Sequence, residues 1–162
     1  MRRRGLIANA LWLQVGWWIC VLGAHTSWLL LLVPLGLAVH LWLCADRHAE
    51  LKVLIVAALA GCLLDSVLGA LGVFGFDTWP LPLWLALLWL VLASGLRHSL
   101  AWTDRPLWRA ALLGALGGSL AYVGGARLAD VALPLGPMET ALLLMPIWAL
   151  AFPLLVRFAA RR

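Results

Sequence analysis

The chain has 162 residues, of which 65% are hydrophobic and only 12% charged, with a formal net charge of +5. Soluble domains carry about a quarter charged residues, so this composition excludes an ordinary soluble domain, and the length allows one domain. The apolar residues come in blocks of about 17 to 23, long enough to cross roughly 30 Å of hydrocarbon as helices.

Six such blocks predict an all-α, polytopic transmembrane bundle of six helices that forms a single domain. The predicted spans, in chain order, are residues 6–23, 28–44, 51–73, 81–96, 107–128 and 138–158. Their connections are short, so consecutive helices are expected to be antiparallel neighbours, since lipid requires each span to satisfy its own backbone hydrogen bonds.

The basic residues predict the orientation of the bundle. All but one of the 12 Lys and Arg residues fall on one side of the predicted bundle, and Arg127 lies towards the other side. The positive-inside bias then places both termini in the cytoplasm. The residues on the predicted inner side are Arg2, Arg3, Arg4, Arg47, Lys52, Arg97, Arg105, Arg109, Arg157, Arg161 and Arg162. This asymmetry explains the basic composition without a nucleic-acid partner, and none is expected.

Small residues indicate which helices pack closely. In the third span Gly61 and Gly69 share one face with Asp65, and in the fifth span Gly114 and Gly118 share a face, with Tyr122 at its edge. Small residues allow helix backbones to approach each other in a membrane. We therefore predict helix packing at these four glycines, with Asp65 facing protein rather than lipid.

Asp65 is the candidate ligand or proton site. An intramembrane carboxylate costs about 2.5–3.5 kcal/mol on insertion scales and is functional by default. The alternative is a hydrogen-bonded Asp65 that only fastens helices together. Candidate partners elsewhere in the chain are Gln14, Tyr122 and Arg127.

Eleven tryptophans accompany these spans. Those near predicted span ends are expected to anchor the bundle at the headgroup boundary, and the deeper ones to pack the bundle or line a cavity. The predicted anchors are Trp28, Trp42, Trp79, Trp102 and Trp108, and the deeper residues are Trp12, Trp17, Trp18, Trp84, Trp89 and Trp148.

The inner helix ends also carry side chains that could hold a metal. These are His40, His48, His98, Ser99, Asp46 and Asp104. No His-Glu-x-x-His or nucleophile-elbow pattern accompanies them, and the three cysteines, with no Cys-x-x-Cys pair, are expected to be packing thiols. The sequence therefore predicts no metal site, no cofactor and no catalytic residue.

Several segments resemble a bacterial inner-membrane family that is known only as a domain of unknown function. They are residues 9–14 (NALWLQ), 63–66 (LLDS), 82–85 (PLWL), 98–102 (HSLAW) and 117–127 (GGSLAYVGGAR). Members of that family are often encoded beside cyclopropane-fatty-acid synthase, which implies a link to membrane-lipid modification. A weaker resemblance, through Gly61 and Asp65 in the third of six spans, is to the substrate-binding subunits of energy-coupling-factor transporters.

Three functions remain open from the sequence. The first is a non-enzymatic accessory or lipid-binding protein whose partners are membrane lipids, another membrane protein or a lipid-modifying enzyme. The second is a transporter-like subunit with an outward-facing small-molecule pocket near Asp65. The third is a membrane-embedded enzyme.

Overall fold

A computed structural model describes residues 3–161, and within that range the chain forms six helices and no β-strand. This confirms the predicted all-α fold. Two residues used to predict the orientation, Arg2 and Arg162, lie outside the described range. The helices are α1 (Arg3–Gly23), α2 (Ser27–Leu43), α3 (Arg47–Ala70), α4 (Leu83–Leu96), α5 (Trp108–Leu128) and α6 (Pro137–Ala160).

Two of the six helices are shorter than a membrane-spanning helix normally is. By length and composition α1, α3, α5 and α6 can cross a membrane, whereas α2 and α4 are shorter apolar helices. The 14 residues of α4 extend only about 21 Å, against roughly 30 Å of hydrocarbon. The structure therefore supports four spans of this kind, and six spans stay a prediction.

Local signals account for the helix boundaries that differ from the prediction. Helix α3 begins at Arg47 rather than near residue 51, because the Asp46 side chain accepts a hydrogen bond from the Ala49 N–H at 3.0 Å and caps the helix. A carboxylate at the N-cap, such as that of Asp46, satisfies a backbone N–H that the helix itself leaves free. Helix α4 begins only at Leu83, because Pro82 is in an extended conformation at its N-cap.

Helix α4 lies at the centre of the bundle and packs against α1 and α3. More than half of its residues are buried: Trp84, Leu85, Trp89, Val91, Ala93, Ser94, Gly95 and Leu96. A helix covered by other helices on most sides has little contact with lipid, which explains why it need not match the thickness of a bilayer.

The outer surface of the bundle is strongly apolar. Many large hydrophobic side chains are exposed on the five surrounding helices, including Leu11, Leu35, Leu59, Leu63, Leu120, Leu150 and Leu154. The five tryptophans expected to anchor the bundle, Trp28, Trp42, Trp79, Trp102 and Trp108, are also exposed. Apolar surface this extensive is typical of a protein that contacts membrane or another protein, and it agrees with the membrane-spanning character of the helices.

A buried asparagine joins the start of α1 to the end of α4. The Asn9 side chain is 5% exposed, and its amide nitrogen donates to the Ser94 carbonyl at 3.0 Å. Its oxygen accepts from the Ser99 backbone N–H at 3.1 Å and from the Ser99 hydroxyl at 2.6 Å. All three bonds hold the amino end of α1 beside the carboxyl end of α4.

Replacing Asn9 with alanine is expected to lower the free energy of unfolding by about 1–3 kcal/mol, because the buried Ser94 carbonyl and Ser99 N–H lose their partner. The measurement is thermal or denaturant unfolding of the purified protein in detergent. Ala10→Ser, at the neighbouring exposed position, is the control and should change stability by less than about 0.5 kcal/mol. Equal stability of Asn9→Ala and wild type would contradict this assignment.

Candidate functional site

Asp65 is fully buried within the protein and is held by two aromatic donors. The Trp89 indole N–H of α4 donates to Asp65 Oδ2 at 2.6 Å. The Tyr122 hydroxyl of α5 lies 2.8 Å from both carboxylate oxygens. The carboxylate, at 0% exposure, therefore connects α3 with α4 and α5 through its own hydrogen bonds.

Only one of the three candidate partners from the sequence contacts Asp65. Tyr122 does so, whereas Gln14 and Arg127 are exposed and make no hydrogen bond to Asp65 within the described residues. Trp89 is the partner that the sequence analysis assigned only to packing or cavity lining. One sequence signal could have indicated this contact. The indole N–H of a tryptophan can only donate, so a buried tryptophan on α4 needs an acceptor.

Glycines make room for the two indoles at the centre of the bundle. A Cβ on Gly61 would overlap the Trp89 ring, and a Cβ on Gly118 would overlap the Trp148 ring. The two rings are nearly parallel, with centroids 5.4 Å apart. We call Gly61, Trp89, Trp148 and Gly118 the glycine–indole chain, since each contacts the next, across α3, α4, α6 and α5.

The other two glycines predicted to pack helices lie in similar close contacts. A Cβ on Gly114 would overlap the Trp148 carbonyl oxygen, so the α5 and α6 backbones approach each other there. A Cβ on Gly69 would come within 2.9 Å of the Phe76 ring.

A cavity of about 580 Å³ lies between α1, α4, α5 and α6. Trp89, Tyr122 and Trp148 form part of its wall, while Asp65 lies behind Trp89 and Tyr122 and does not line it. Most of the remaining wall is aliphatic or aromatic, with Gln14 as its one amide side chain among the described residues. The volume is within the range of small-molecule sites, roughly 300–1,000 Å³.

The cavity is open to the outside between α1 and α5. Gln14 on α1 and Gly117 and Leu120 on α5 line it and are also exposed at the protein surface. A Cβ on Gly124, which lines the same cavity, would meet no atom within 4 Å. Small residues on α5 thus leave a gap at a surface that otherwise carries exposed leucines.

Helix α5 is wound as a π-helix from Gly114 to Gly118. This segment both lines the cavity and packs on Trp148 and Phe152 of α6. Short π segments are rare and are frequent at functional sites. Its position at the cavity wall is a second reason to place the functional site there.

Two polar side chains at other helix ends, His25 and Thr140, do not line the cavity next to Asp65 in the described part of the chain. His25 contacts the Leu128 carbonyl at 2.8 Å and lies 3.7 Å from Asp130. Thr140 is fully buried, and its hydroxyl has no hydrogen-bond partner in the described part of the chain.

A second group of polar side chains lies at the end of the bundle that carries most of the basic residues. His40 at the end of α2, Cys44 after it, Glu50 in the first turn of α3 and His98 after α4 each offer one ligand-type atom, and these atoms lie within 4.8 Å of one another. Two of them, Cys44 and Glu50, were not among the metal-ligand residues considered from the sequence. His48, which was considered, is exposed and lies outside this group.

The family described as protein of unknown function DUF2878 matches residues 6–154, which is nearly the whole chain. No curated protein and no solved structure matches the chain. The chain therefore belongs to the DUF2878 family.

Proposed function

We propose that this protein is a non-enzymatic, multi-pass protein of the bacterial inner membrane that binds an acyl chain of a membrane lipid in the cavity between α1 and α5. The observation that carries the proposal is the apolar, laterally open cavity of about 580 Å³. An opening between two helices whose outer faces are apolar is reached from the lipid phase, so the ligand with the readiest access is a lipid chain.

The position of Asp65 favours a lipid over a polar metabolite. Its carboxylate accepts from Trp89 and Tyr122 and stays behind these side chains, so the charge is not presented to the cavity. A pocket for a polar metabolite combines an apolar wall with several convergent polar groups, and such groups are few here. The transporter-like alternative therefore has less support than lipid binding.

A role beside a lipid-modifying enzyme is part of the same proposal. Two features support this role. Members of the family that the sequence resembles are often encoded beside cyclopropane-fatty-acid synthase, and the bundle has an extensive exposed apolar surface. A protein that holds an acyl chain at an opening between helices would present lipid to such an enzyme without carrying out a reaction itself.

The test is native mass spectrometry of the full chain, extracted from membranes in mild detergent, combined with lipid analysis of the bound fraction. A co-purifying phospholipid or fatty acid is expected for wild type. A bound polar metabolite, or an empty protein after reconstitution with phospholipid vesicles, would overturn the proposal.

Gly124→Leu is expected to weaken lipid binding roughly 5- to 150-fold, about 1–3 kcal/mol, because the new side chain occupies the open space beside Gly124. Folding should be preserved, since no atom lies in the path of a Cβ there. Ala60→Leu, at an exposed position on α3, is the matched control and should retain lipid. Equal lipid occupancy in both variants would contradict the cavity as the binding site.

A further inference from the structure

We propose that His40, Cys44, Glu50 and His98 form a structural zinc site that ties together the ends of α2, α3 and α4. This site is separate from the lipid cavity, and none of its four residues lines that cavity. The donor set, two imidazoles, one thiol and one carboxylate, is typical of zinc, which binds nitrogen, sulfur and oxygen ligands in tetrahedral sites.

The distances between donor atoms fit a tetrahedral zinc ion. Cys44 Sγ lies 3.6 Å from the Nε2 atom of His40 and 3.6 Å from that of His98. Zinc bonds of about 2.3 Å to sulfur and about 2.0–2.1 Å to nitrogen separate the two donors by about 3.6 Å in a tetrahedron. Both sulfur–nitrogen distances thus already have the required length.

The carboxylate needs only a small adjustment. Glu50 Oε1 lies 2.9 Å from His40 Nε2, and Oε2 lies 3.1 Å from His98 Nε2. One of these two oxygens would bind the ion. A tetrahedral ion holds an oxygen and a nitrogen ligand about 3.3 Å apart, so that oxygen would move a few tenths of an ångström from the imidazole nitrogen it now contacts. The imidazoles would then bind through Nε2 with their protons on Nδ1, and the thiol would bind as a thiolate.

The charges and burial of the four side chains also suit a closed site. A divalent zinc ion, one thiolate and one carboxylate sum to zero, which lowers the cost of burying them. The side chains of Glu50, His40 and His98 are 1%, 10% and 13% exposed. Four protein ligands that leave little room for water are characteristic of structural rather than catalytic zinc.

Arg97 opposes metal binding at this site. Its Nη1 atom lies 3.7 Å from Glu50 Oε2, and its side chain is 22% exposed. A guanidinium this close to a ligand carboxylate repels a cation and competes for the oxygen. Arg97→Gln is therefore expected to bind zinc more tightly than wild type, whereas a cluster that only forms hydrogen bonds would show no such gain.

The alternative is a buried hydrogen-bonded cluster in which both imidazoles donate to Glu50 and no metal binds. Titration of the full chain in detergent with Co²⁺, after chelator treatment, separates the two. For the zinc site we expect one Co²⁺ per chain, tetrahedral absorption bands in the visible and a thiolate-to-cobalt charge-transfer band. Zn²⁺ should displace the Co²⁺ and raise the melting temperature.

Variants locate the metal within the chain. Cys44→Ser should abolish the charge-transfer band, and His98→Ala should weaken binding by more than the roughly 10- to 100-fold that a lost outer-shell contact costs. Cys62→Ser and His48→Ala are the matched controls, because neither residue belongs to the cluster, and both should bind as wild type does. The wild-type spectrum is decisive even where a variant fails to fold: no charge-transfer band, or a band that Cys44→Ser leaves unchanged, overturns the proposal.

Discussion

Asp65→Ala is expected to lower the free energy of unfolding by about 2–4 kcal/mol, because it removes the only acceptor seen in the described residues for the buried Trp89 N–H and the half-buried Tyr122 hydroxyl. Trp89 is 3% exposed and forms part of the central packing. Its indole N–H cannot turn to water without leaving the glycine–indole chain. The measurement is equilibrium unfolding of the purified protein in mixed micelles.

Ser66→Ala is the control for that variant. The Ser66 hydroxyl donates to the Cys62 carbonyl of its own helix, at 2.7 Å, so its loss should cost less than about 1 kcal/mol. Unchanged stability of Asp65→Ala would contradict the structural role and favour the alternative, in which Asp65 serves as a proton or ion site.

A double-mutant cycle isolates the contact between Asp65 and Tyr122. Tyr122→Phe alone removes one donor from a buried carboxylate, while Asp65→Ala/Tyr122→Phe removes both sides of the contact. Residues that contact each other directly show coupling energies of about 0.5–3 kcal/mol. The double variant is therefore expected to cost less than the sum of the two single variants.

The helical class was predictable because long apolar blocks leave few alternatives in lipid. The number of helices long enough to cross a membrane was not, since hydropathy treats lipid-facing and protein-facing leucines alike. Helix α4 was predicted as the fourth span because Leu85 and Leu96 are as apolar as any lipid-facing residue, yet both are buried at the centre of the bundle.

The candidate site was predictable where its residues share one helix, and Tyr122 on α5 was also named as a candidate partner of Asp65. Gly61 and Asp65 lie four apart on α3, so their common face follows from the helix repeat. Trp89 comes from another helix, and nothing in its neighbouring sequence distinguishes it from Trp84. Which tryptophan reaches the carboxylate depends on the rotation of α4 about its axis, and that rotation is determined by packing.

The four-residue cluster at the ends of α2, α3 and α4 was missed for a related reason. His40, Cys44 and Glu50 come close together because the connection between α2 and α3 is short, and His98 joins them because α4 packs against both α2 and α3. Metal-ligand motifs in sequences are recognised by fixed spacings within one segment. A set drawn from three helix ends has no such spacing.

The glycine–indole chain gives the second large effect, a contrast in sign between two glycine-to-alanine substitutions. Gly61→Ala is expected to destabilise the protein by about 1–3 kcal/mol, because its Cβ would overlap the Trp89 ring. The Trp89 ring packs against Trp148, and Trp148 packs against Gly118. The Trp89 indole N–H also donates to Asp65. Any shift of the ring therefore disturbs both contacts.

Gly124→Ala should instead stabilise the protein by about 0.5–1 kcal/mol, since alanine is the better helix former and a Cβ there meets no atom within 4 Å. Both glycines lie inside helices, so the gain in helix propensity is the same in each variant and cancels in the comparison. The difference between the two unfolding free energies, measured in the same detergent, reports the contact of Gly61 with Trp89 alone. Equal effects at both positions would mean that the Trp89 indole has room to move, and the close contact between Gly61 and Trp89 would be wrong.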